Sequence, residues 1–200
     1  QGKEGMTVSL VTGGAGFIGS HIVGELVRRG HAVRVLDNFA TGKPENLASV
    51  RDRVTVIEGD VRDLAVCRRA AAGADYVFHE AAHTSPPKPI EHPFLNDSVN
   101  VGGTLNILWA AKEGGAKKLV LASSTAVYGD NPELPKRETM TGVPLSPYAL
   151  SKWIGERYCQ SFGRIYGFAA VALRYFNVFG PRQDPRSQYA AAVPIFIARM

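Results

Sequence analysis

Residues 11–20 read VTGGAGFIGS, which places Gly13, Gly16 and Gly19 at intervals of three. An apolar strand precedes this run and an amphipathic helix follows it, which is the context in which a glycine-rich turn holds a pyrophosphate. Gly13 permits the tight turn, Gly16 leaves the backbone open to the phosphates, and Gly19 lets the helix lie close to the sheet. The helix N-terminus offers free N–H groups and a positive dipole end. The motif predicts a phosphate-binding turn; the alternative is a turn with a structural role alone.

The rest of the chain alternates short β-branched segments with longer amphipathic ones. This pattern is typical of βαβ units, and it predicts an α/β fold with a doubly wound parallel sheet of the Rossmann type. The alternation runs over about residues 6–176 and breaks down after Asn177, so we expect one domain up to that point. The expected strands are residues 8–11, 32–36, 54–57, 76–78, 118–122 and 169–173, and the expected helices are 17–29, 64–72, 99–113 and 147–166.

Composition indicates an ordinary globular chain of 200 residues, 45% hydrophobic and 20% charged. The net charge is +5, but basic residues never run longer than two, so we expect no nucleic-acid partner. Apolar runs are too short to span a membrane, so we expect no membrane association. Cys67 and Cys159 are far apart and form no CxxC pair, which predicts no disulfide framework and favours a cytoplasmic location.

Tyr148 and Lys152 lie four residues apart in the last predicted helix and therefore share one face of it. Ser146 as N-cap and Pro147 in the first turn mark where that helix begins. A phenol with an ordinary pKa of about 10 is a poor base at pH 7, but a nearby ammonium stabilises the phenolate. Such a group can take a proton from an alcohol while hydride leaves for NAD⁺. Alone, the pair would more often be a surface contact; the glycine turn upstream favours catalysis.

Several polar residues follow predicted strands. Asp37 ends the second strand, where a carboxylate accepts hydrogen bonds from ribose hydroxyls and repels a 2′-phosphate, which favours NAD over NADP. Its alternative role is to cap the next turn. Asp60 and Val61 follow the third strand, near the expected adenine position. Ser124 ends the fifth strand, where its hydroxyl could bond the reacting oxygen or simply turn the chain.

The segment from His79 to His83 matches the zinc-protease pattern H-E-x-x-H. That chemistry needs both histidines on one helix face. A predicted strand precedes the segment and Pro86 and Pro87 follow it, so a helix has little room, and we expect no metal. The preferred interpretation is a strand end whose small residues, Ala81 and Ala82, let the dinucleotide approach.

Taken in order, these motifs resemble the extended short-chain dehydrogenases/reductases, specifically the nucleotide-sugar epimerase/dehydratase group. The resemblance runs from about Thr7 to Met200. Its motifs are TGGAGFIG at 12–19, LDNFATGKPENL at 36–47, GDVRD at 59–63, HEAA at 79–82, NVGGTLN at 100–106, SSTAVYG at 123–129, YALSK at 148–152 and LRYFNVFGPRQDP at 173–185.

The resemblance implies NAD as cofactor, a UDP-sugar as substrate and a homodimer. It also implies that residues 6–176 form the NAD-binding Rossmann domain and that residues 177–200 begin a smaller C-terminal substrate lobe that the chain does not complete. It implies a catalytic set of Ser124, Tyr148 and Lys152. The cofactor contacts it implies are Gly13, Gly16, Phe17, Ile18, Asp37, Asn38, Asp60, Val61, Ala81, Ala82, Asn100, Ser123, Tyr148, Lys152 and Tyr175. The substrate contacts it implies are Ser85, Ser124, Tyr148, Asn177 and Val193.

The resemblance also indicates which reaction of this group to expect. Sugar 4,6-dehydratases carry an Asp-Glu pair at the positions of Thr125 and Ala126, and its absence favours 4-epimerisation. The segment RYFNVFGPRQDP at 174–185, followed by YAAAVP at 189–194, most resembles UDP-N-acetylhexosamine 4-epimerases, which favours UDP-GlcNAc/UDP-GalNAc ahead of UDP-Glc/UDP-Gal. The alternatives are a non-catalytic NAD-binding module, a UDP-glucuronate 4-epimerase or a reductase. One departure from the family is Glu80, where an apolar residue is usual.

Overall fold

The computed structural model describes residues 6–84 and 93–184. Within them, six strands form one parallel sheet in the order β3-β2-β1-β4-β5-β6, which confirms the predicted doubly wound α/β fold. The strand order reverses between β1 and β4, and ligands of such sheets bind at the carboxyl edge beside that point. The strands are β1 (Val8–Thr12), β2 (Ala32–Asp37), β3 (Val54–Glu58), β4 (Tyr76–His79), β5 (Lys118–Ser124) and β6 (Ala170–Tyr175).

The four predicted helices are present, and the structure adds shorter helical segments that sequence patterning missed. A 3₁₀ segment covers Pro44–Arg53, where most residues are polar and only Leu47 is buried, so it carries little helical periodicity. A second 3₁₀ segment covers Thr125–Tyr128. The helix predicted over residues 99–113 consists of a π-helical segment, Asp97–Gly102, followed by the α-helix Gly103–Glu113. The helices are α1 (Phe17–Arg28), α2 (Leu64–Ala71), α3 (Pro93–Asn96), α4 (Gly103–Glu113) and α5 (Pro147–Tyr166).

Two hydrophobic clusters cover the two faces of the sheet. Successive strand residues point to opposite faces, so Leu10 joins one cluster and Val11 the other. The first cluster packs against α2, α4 and α5 and includes Ile107. The second packs against α1 and the 3₁₀ segment and includes Val23 and Leu47. Both faces are therefore covered by helical segments, and the carboxyl edge of the strands is where the polar motif residues collect.

Two further expectations concern the described part of the chain. Cys67 and Cys159 are both buried free thiols, so they form no disulfide with each other. Burial raises the pKa of each thiol to about 12. A membrane-spanning helix would need a long apolar stretch, and none of the helices in residues 6–84 and 93–184 has one.

Candidate active site

The glycine-rich turn brings three strand ends together. Gly13 has φ +65°, and its N–H donates to the Leu36 carbonyl of β2 at 2.8 Å. A Cβ on Gly13 would lie 2.7 Å from the backbone nitrogen of Ala81, just after β4. The position therefore requires glycine for two reasons. The left-handed φ disfavours any residue with a side chain, and the backbone of Ala81 occupies the space that a Cβ would need.

The start of α1 is open in the way a phosphate site requires. Gly16 is the N-cap, and among the described residues no side-chain hydrogen bond caps it. Phe17 and Ile18 form the first turn, whose N–H groups have no partner within the helix. A Cβ on Gly19 would overlap the carbonyl oxygen of Gly13, so α1 lies directly against the turn. This geometry fits the pyrophosphate of a dinucleotide.

Asp37 is buried at the end of β2 and faces the same turn. Its Oδ2 accepts a hydrogen bond from Ala15 N at 2.9 Å, and its Oδ1 accepts one from Phe39 N at 2.8 Å. The turn-capping role considered from the sequence is thus present in the structure. Each carboxylate oxygen has a second lone pair, so binding of ribose hydroxyls remains compatible with this arrangement and stays a prediction.

Next to Asp37 lies a polar cluster at the ends of β2 and β3. Asn38 Nδ2 donates to Asp60 Oδ2 at 2.8 Å, and Arg62 forms an ion pair with Asp60 at 2.7 Å. The hydrogen bonds from Arg62 hold the pKa of Asp60 well below its usual value. Val61 is buried beneath α4, where a Cβ on Gly103 would meet its side chain. Sequence reasoning had not assigned Arg62 to this cluster.

The structure places the Tyr148–Lys152 pair at the carboxyl edge, with Lys152 buried and Tyr148 half-buried. Ser146 caps α5 as predicted, since its Oγ accepts a hydrogen bond from Ala149 N at 3.1 Å. Lys152 is 6% exposed, and its Nζ donates to the Ala122 carbonyl of β5 at 2.8 Å. The same Nζ lies 5.8 Å from the centre of the Tyr148 ring. Burial lowers the pKa of Lys152 to about 8, so the amine is still mostly protonated at pH 7.

The two serines at the end of β5 point to different surroundings. Ser124 Oγ accepts a hydrogen bond from Ala126 N at 3.1 Å and caps the 3₁₀ segment Thr125–Tyr128. The structure therefore shows the turn-forming role that was the alternative for this residue. Ser123 Oγ donates instead to the buried Glu156 of α5 at 2.6 Å. That bond uses the one donor of the hydroxyl, so a cofactor contact of Ser123 would use its Oγ as an acceptor or its backbone.

Glu156 belongs to a buried ion pair that fixes α5 against β6. Arg174 Nη2 lies 2.8 Å from Glu156 Oε2, with both side chains largely buried. The guanidinium also stacks over the Tyr128 ring, 4.6 Å from its centre. A cleft of about 720 Å³ opens beside this pair, and none of the predicted catalytic residues lines it. The pair is therefore structural, and the cleft is separate from the predicted site.

Ala81 and Ala82 follow β4 and lie half-buried, and the backbone of Ala81 lies against Gly13. Asn100, which the resemblance implied as a cofactor contact, is buried with its polar atoms engaged by the protein. Its Oδ1 accepts from His83 N at 2.7 Å, and its Nδ2 donates to His83 O at 2.8 Å and to Ser151 Oγ at 3.1 Å. In the described structure this side chain ties the segment after β4 to α5.

The H-E-x-x-H segment does not form a helix. His79 is the last residue of β4, and His83 lies in the irregular segment that follows. The ring nitrogens of His79 bond to the hydroxyls of Thr12, at 2.7 Å, and Thr104, at 3.0 Å. Burial lowers the pKa of His79 to about 3. The residues are therefore not arranged as the zinc-protease pattern requires.

Two residues near the end of β6 complete the described site. Tyr175 Oη donates to Glu80 Oε1 at 3.1 Å, and burial raises the pKa of both side chains. Sequence reasoning noted Glu80 only as a departure from the family and assigned it no role. Asn177 is exposed just beyond β6. Ser85 and Val193, both predicted to contact substrate, lie outside the described residues.

The fold and the site define a doubly wound α/β protein with a glycine-rich phosphate turn and a Tyr–Lys pair at one sheet edge. The chain belongs to the NAD dependent epimerase/dehydratase family, whose model matches residues 9–200.

Individual relatives agree with this assignment. A UDP-glucose 4-epimerase of Mycolicibacterium smegmatis is 38% identical over 192 residues, which is 94% of this chain and 61% of the relative. The UDP-N-acetylglucosamine 4-epimerase from Methanobrevibacter ruminantium, solved with UDP-N-acetylmuramic acid, is 44% identical with a TM-score of 0.90, covering 96% of this chain and 62% of that one. The UDP-glucose 4-epimerase of Thermus thermophilus, solved with NAD, is 46% identical with a TM-score of 0.83, covering 92% of this chain and 59% of that one. The chain thus spans about six tenths of the length of these relatives.

Proposed function

We propose that the chain provides the NAD-binding and catalytic part of a UDP-sugar 4-epimerase. The observation that carries this proposal is the buried Lys152 ammonium beside Tyr148, at the sheet edge where the Gly13 turn and Asp37 also lie. The three named relatives are 4-epimerases of UDP-sugars by name, and one was solved with NAD. We favour UDP-GlcNAc/UDP-GalNAc as substrates, ahead of UDP-Glc/UDP-Gal.

The residues that would hold NAD are the Gly13–Gly16 turn for the pyrophosphate and Asp37 for the adenosine ribose. The chemistry that NAD supplies when bound is reversible hydride transfer at C4 of the sugar. The Lys152 ammonium favours the ionised phenol of Tyr148, which then accepts the proton of the sugar 4-hydroxyl. Ser124 Oγ lies at the end of β5, where its hydroxyl can bond the same sugar oxygen. Thr125 and Ala126 offer no acid or base for elimination of water, which favours epimerisation over dehydration.

The test is epimerisation of a panel of UDP-sugars by the whole protein and by its Tyr148→Phe variant. We expect Tyr148→Phe to lose at least about 100-fold in kcat, because the general base is gone, while the affinity for NAD is unchanged. Tyr158→Phe is the matched control, since Tyr158 lies on the same helix but packs against the hydrophobic core. Normal turnover by Tyr148→Phe would show that the base has been assigned wrongly.

The same assay separates the alternatives. A reductase consumes NADH in proportion to product, whereas an epimerase reaches an equilibrium of two sugars with no net consumption. A non-catalytic module binds NAD and converts none of the panel. If a product forms only from UDP-glucuronate, the proposed substrate becomes UDP-glucuronate.

We also propose a homodimer and a cytoplasmic location. The family resemblance implies pairing through two helices of each subunit, and α4 and α5 carry large apolar residues at the surface: Leu105 is 37% exposed, Leu150 44% and Ile165 67%. Two buried free thiols suit a reducing compartment. Analytical ultracentrifugation tests the dimer, and a sedimentation coefficient that stays monomeric at micromolar concentration would contradict it.

A further inference from the structure

Two side chains meet above the end of β5. Glu80 directly follows β4, and Tyr175 is the last residue of β6, so each comes from a strand that neighbours β5. Their hydrogen bond, from Tyr175 Oη to Glu80 Oε1 at 3.1 Å, therefore crosses the carboxyl end of β5. The hydrogen bond orients the Glu80 carboxylate over the strand to which Lys152 is bonded.

Lys152 needs a negative partner in this position. Its Nζ donates to the Ala122 carbonyl of β5, and its side chain is 6% exposed, so the ammonium has lost most of its water. Burying an ammonium without a counter-charge favours the neutral amine. Glu80 attracts the Lys152 charge and opposes the effect of burial on its pKa. Burial raises the pKa of Glu80, and the hydrogen bond from Tyr175 and the charge of Lys152 both oppose that rise.

The other titratable groups around Lys152 are less suited to this role. His79 on β4 repels the ammonium only when protonated, and burial lowers its pKa to about 3, so it is neutral at pH 7. Glu156 lies one turn further along α5, but its carboxylate is held by Ser123 and Arg174. Tyr148, one turn earlier on the helix, is the group that Lys152 acts on.

We propose that Glu80 is a positioning residue of this site: its carboxylate, oriented by Tyr175, keeps Lys152 in the ammonium form beside Tyr148. The link to catalysis rests on the proposed function, but the effect on Lys152 does not. Removing the carboxylate lowers the pH at which Lys152 loses its proton. Above that pH the ammonium no longer supports the Tyr148 phenolate, so the high-pH limb of kcat/KM moves to lower pH as well.

The experiment is an NMR titration of the whole protein with [¹³Cε]lysine, without substrate. The Lys152 resonance is assigned by its loss in Lys152→Arg. The native midpoint is expected near pH 8. In Glu80→Gln it should fall by about one pH unit, the usual size of an effect from a nearby opposite charge. In Glu58→Gln, which makes the same chemical change at the exposed carboxyl end of β3, it should not move.

Two further variants complete the test. Glu80→Asp retains the charge and should restore most of the native midpoint. Tyr175→Phe retains the Glu80 carboxylate but removes the hydroxyl that donates to it, so the Lys152 midpoint should fall by less than in Glu80→Gln. If circular dichroism shows that Glu80→Gln does not fold, Tyr175→Phe replaces it as the test variant. The proposal is overturned if the Lys152 midpoint is unchanged in folded Glu80→Gln. If Tyr175→Phe has replaced that variant, an unchanged midpoint in Tyr175→Phe overturns it. A normal Lys152 response without any epimerisation would instead refute the proposed function alone.

Discussion

Replacing Gly13 by alanine tests whether the glycine turn depends on close approach as well as on backbone conformation. The φ of +65° costs an alanine about 1 kcal/mol. Its Cβ would also lie 2.7 Å from Ala81 N and 2.8 Å from Ala81 Cα, and because both are backbone atoms, no side-chain rotation relieves the contact. Shifting the turn away from the segment after β4 adds about 2 kcal/mol. We expect Gly13→Ala to lower the free energy of unfolding by about 3 kcal/mol.

Gly73 provides a matched control, because its φ is +66° and an added Cβ would meet nothing within 4 Å. Gly73→Ala should therefore show the conformational cost alone, about 1 kcal/mol. Urea denaturation followed by circular dichroism measures both free energies, and calorimetric titration with NAD measures binding. Gly13→Ala should also bind NAD more weakly than Gly73→Ala, since the turn itself has moved. Equal losses of stability in the two variants would refute the reasoning, because the contact with Ala81 would then contribute nothing.

Two further predictions concern buried charge. Because burial lowers the folded-state pKa of His79 to about 3, below its ordinary 6.5, the neutral ring supports the fold fully above pH 6.5 and progressively less as the pH falls. Between pH 6.5 and 5 this should cost about 2 kcal/mol in urea unfolding, and His79→Gln should show a correspondingly smaller difference. Arg174→Met should lower the free energy of unfolding by about 3 kcal/mol by leaving the Glu156 carboxylate buried and unpaired. Arg28→Met, which breaks the exposed pair with Glu25, should leave the urea midpoint nearly unchanged, and equal effects of the two arginine variants would contradict this account.

The strands and the long helices were predictable because their signals are local. Val11 and its neighbours alternate between the two faces of β1, and Ser146 with Pro147 marks the start of α5; each pattern lies within a few residues. The 3₁₀ segment Pro44–Arg53 was missed because its packing rests largely on a single buried residue, Leu47. One buried residue in a largely polar segment gives no periodicity to detect.

The roles of individual polar residues were harder to predict. Asn100 and Ser123 both sit in motifs that imply cofactor contact, yet their side chains bond to His83 and Ser151 in one case and to Glu156 in the other. Those partners come from other elements. A motif specifies which residue type stands at a strand end or helix turn, but not which of its atoms face the protein and which face the ligand site.

The order of strands and helices, the glycine turn and the spacing that puts Tyr148 and Lys152 on one face of a helix were all evident from the sequence. These follow from backbone conformation and helical period, which depend on neighbouring residues. The burial of Lys152 against Ala122 and the hydrogen bond between Glu80 and Tyr175 across β5 became visible only in the folded protein. Burial and charge attraction depend on distances between residues far apart in the chain, and the folding of the sheet alone sets those distances.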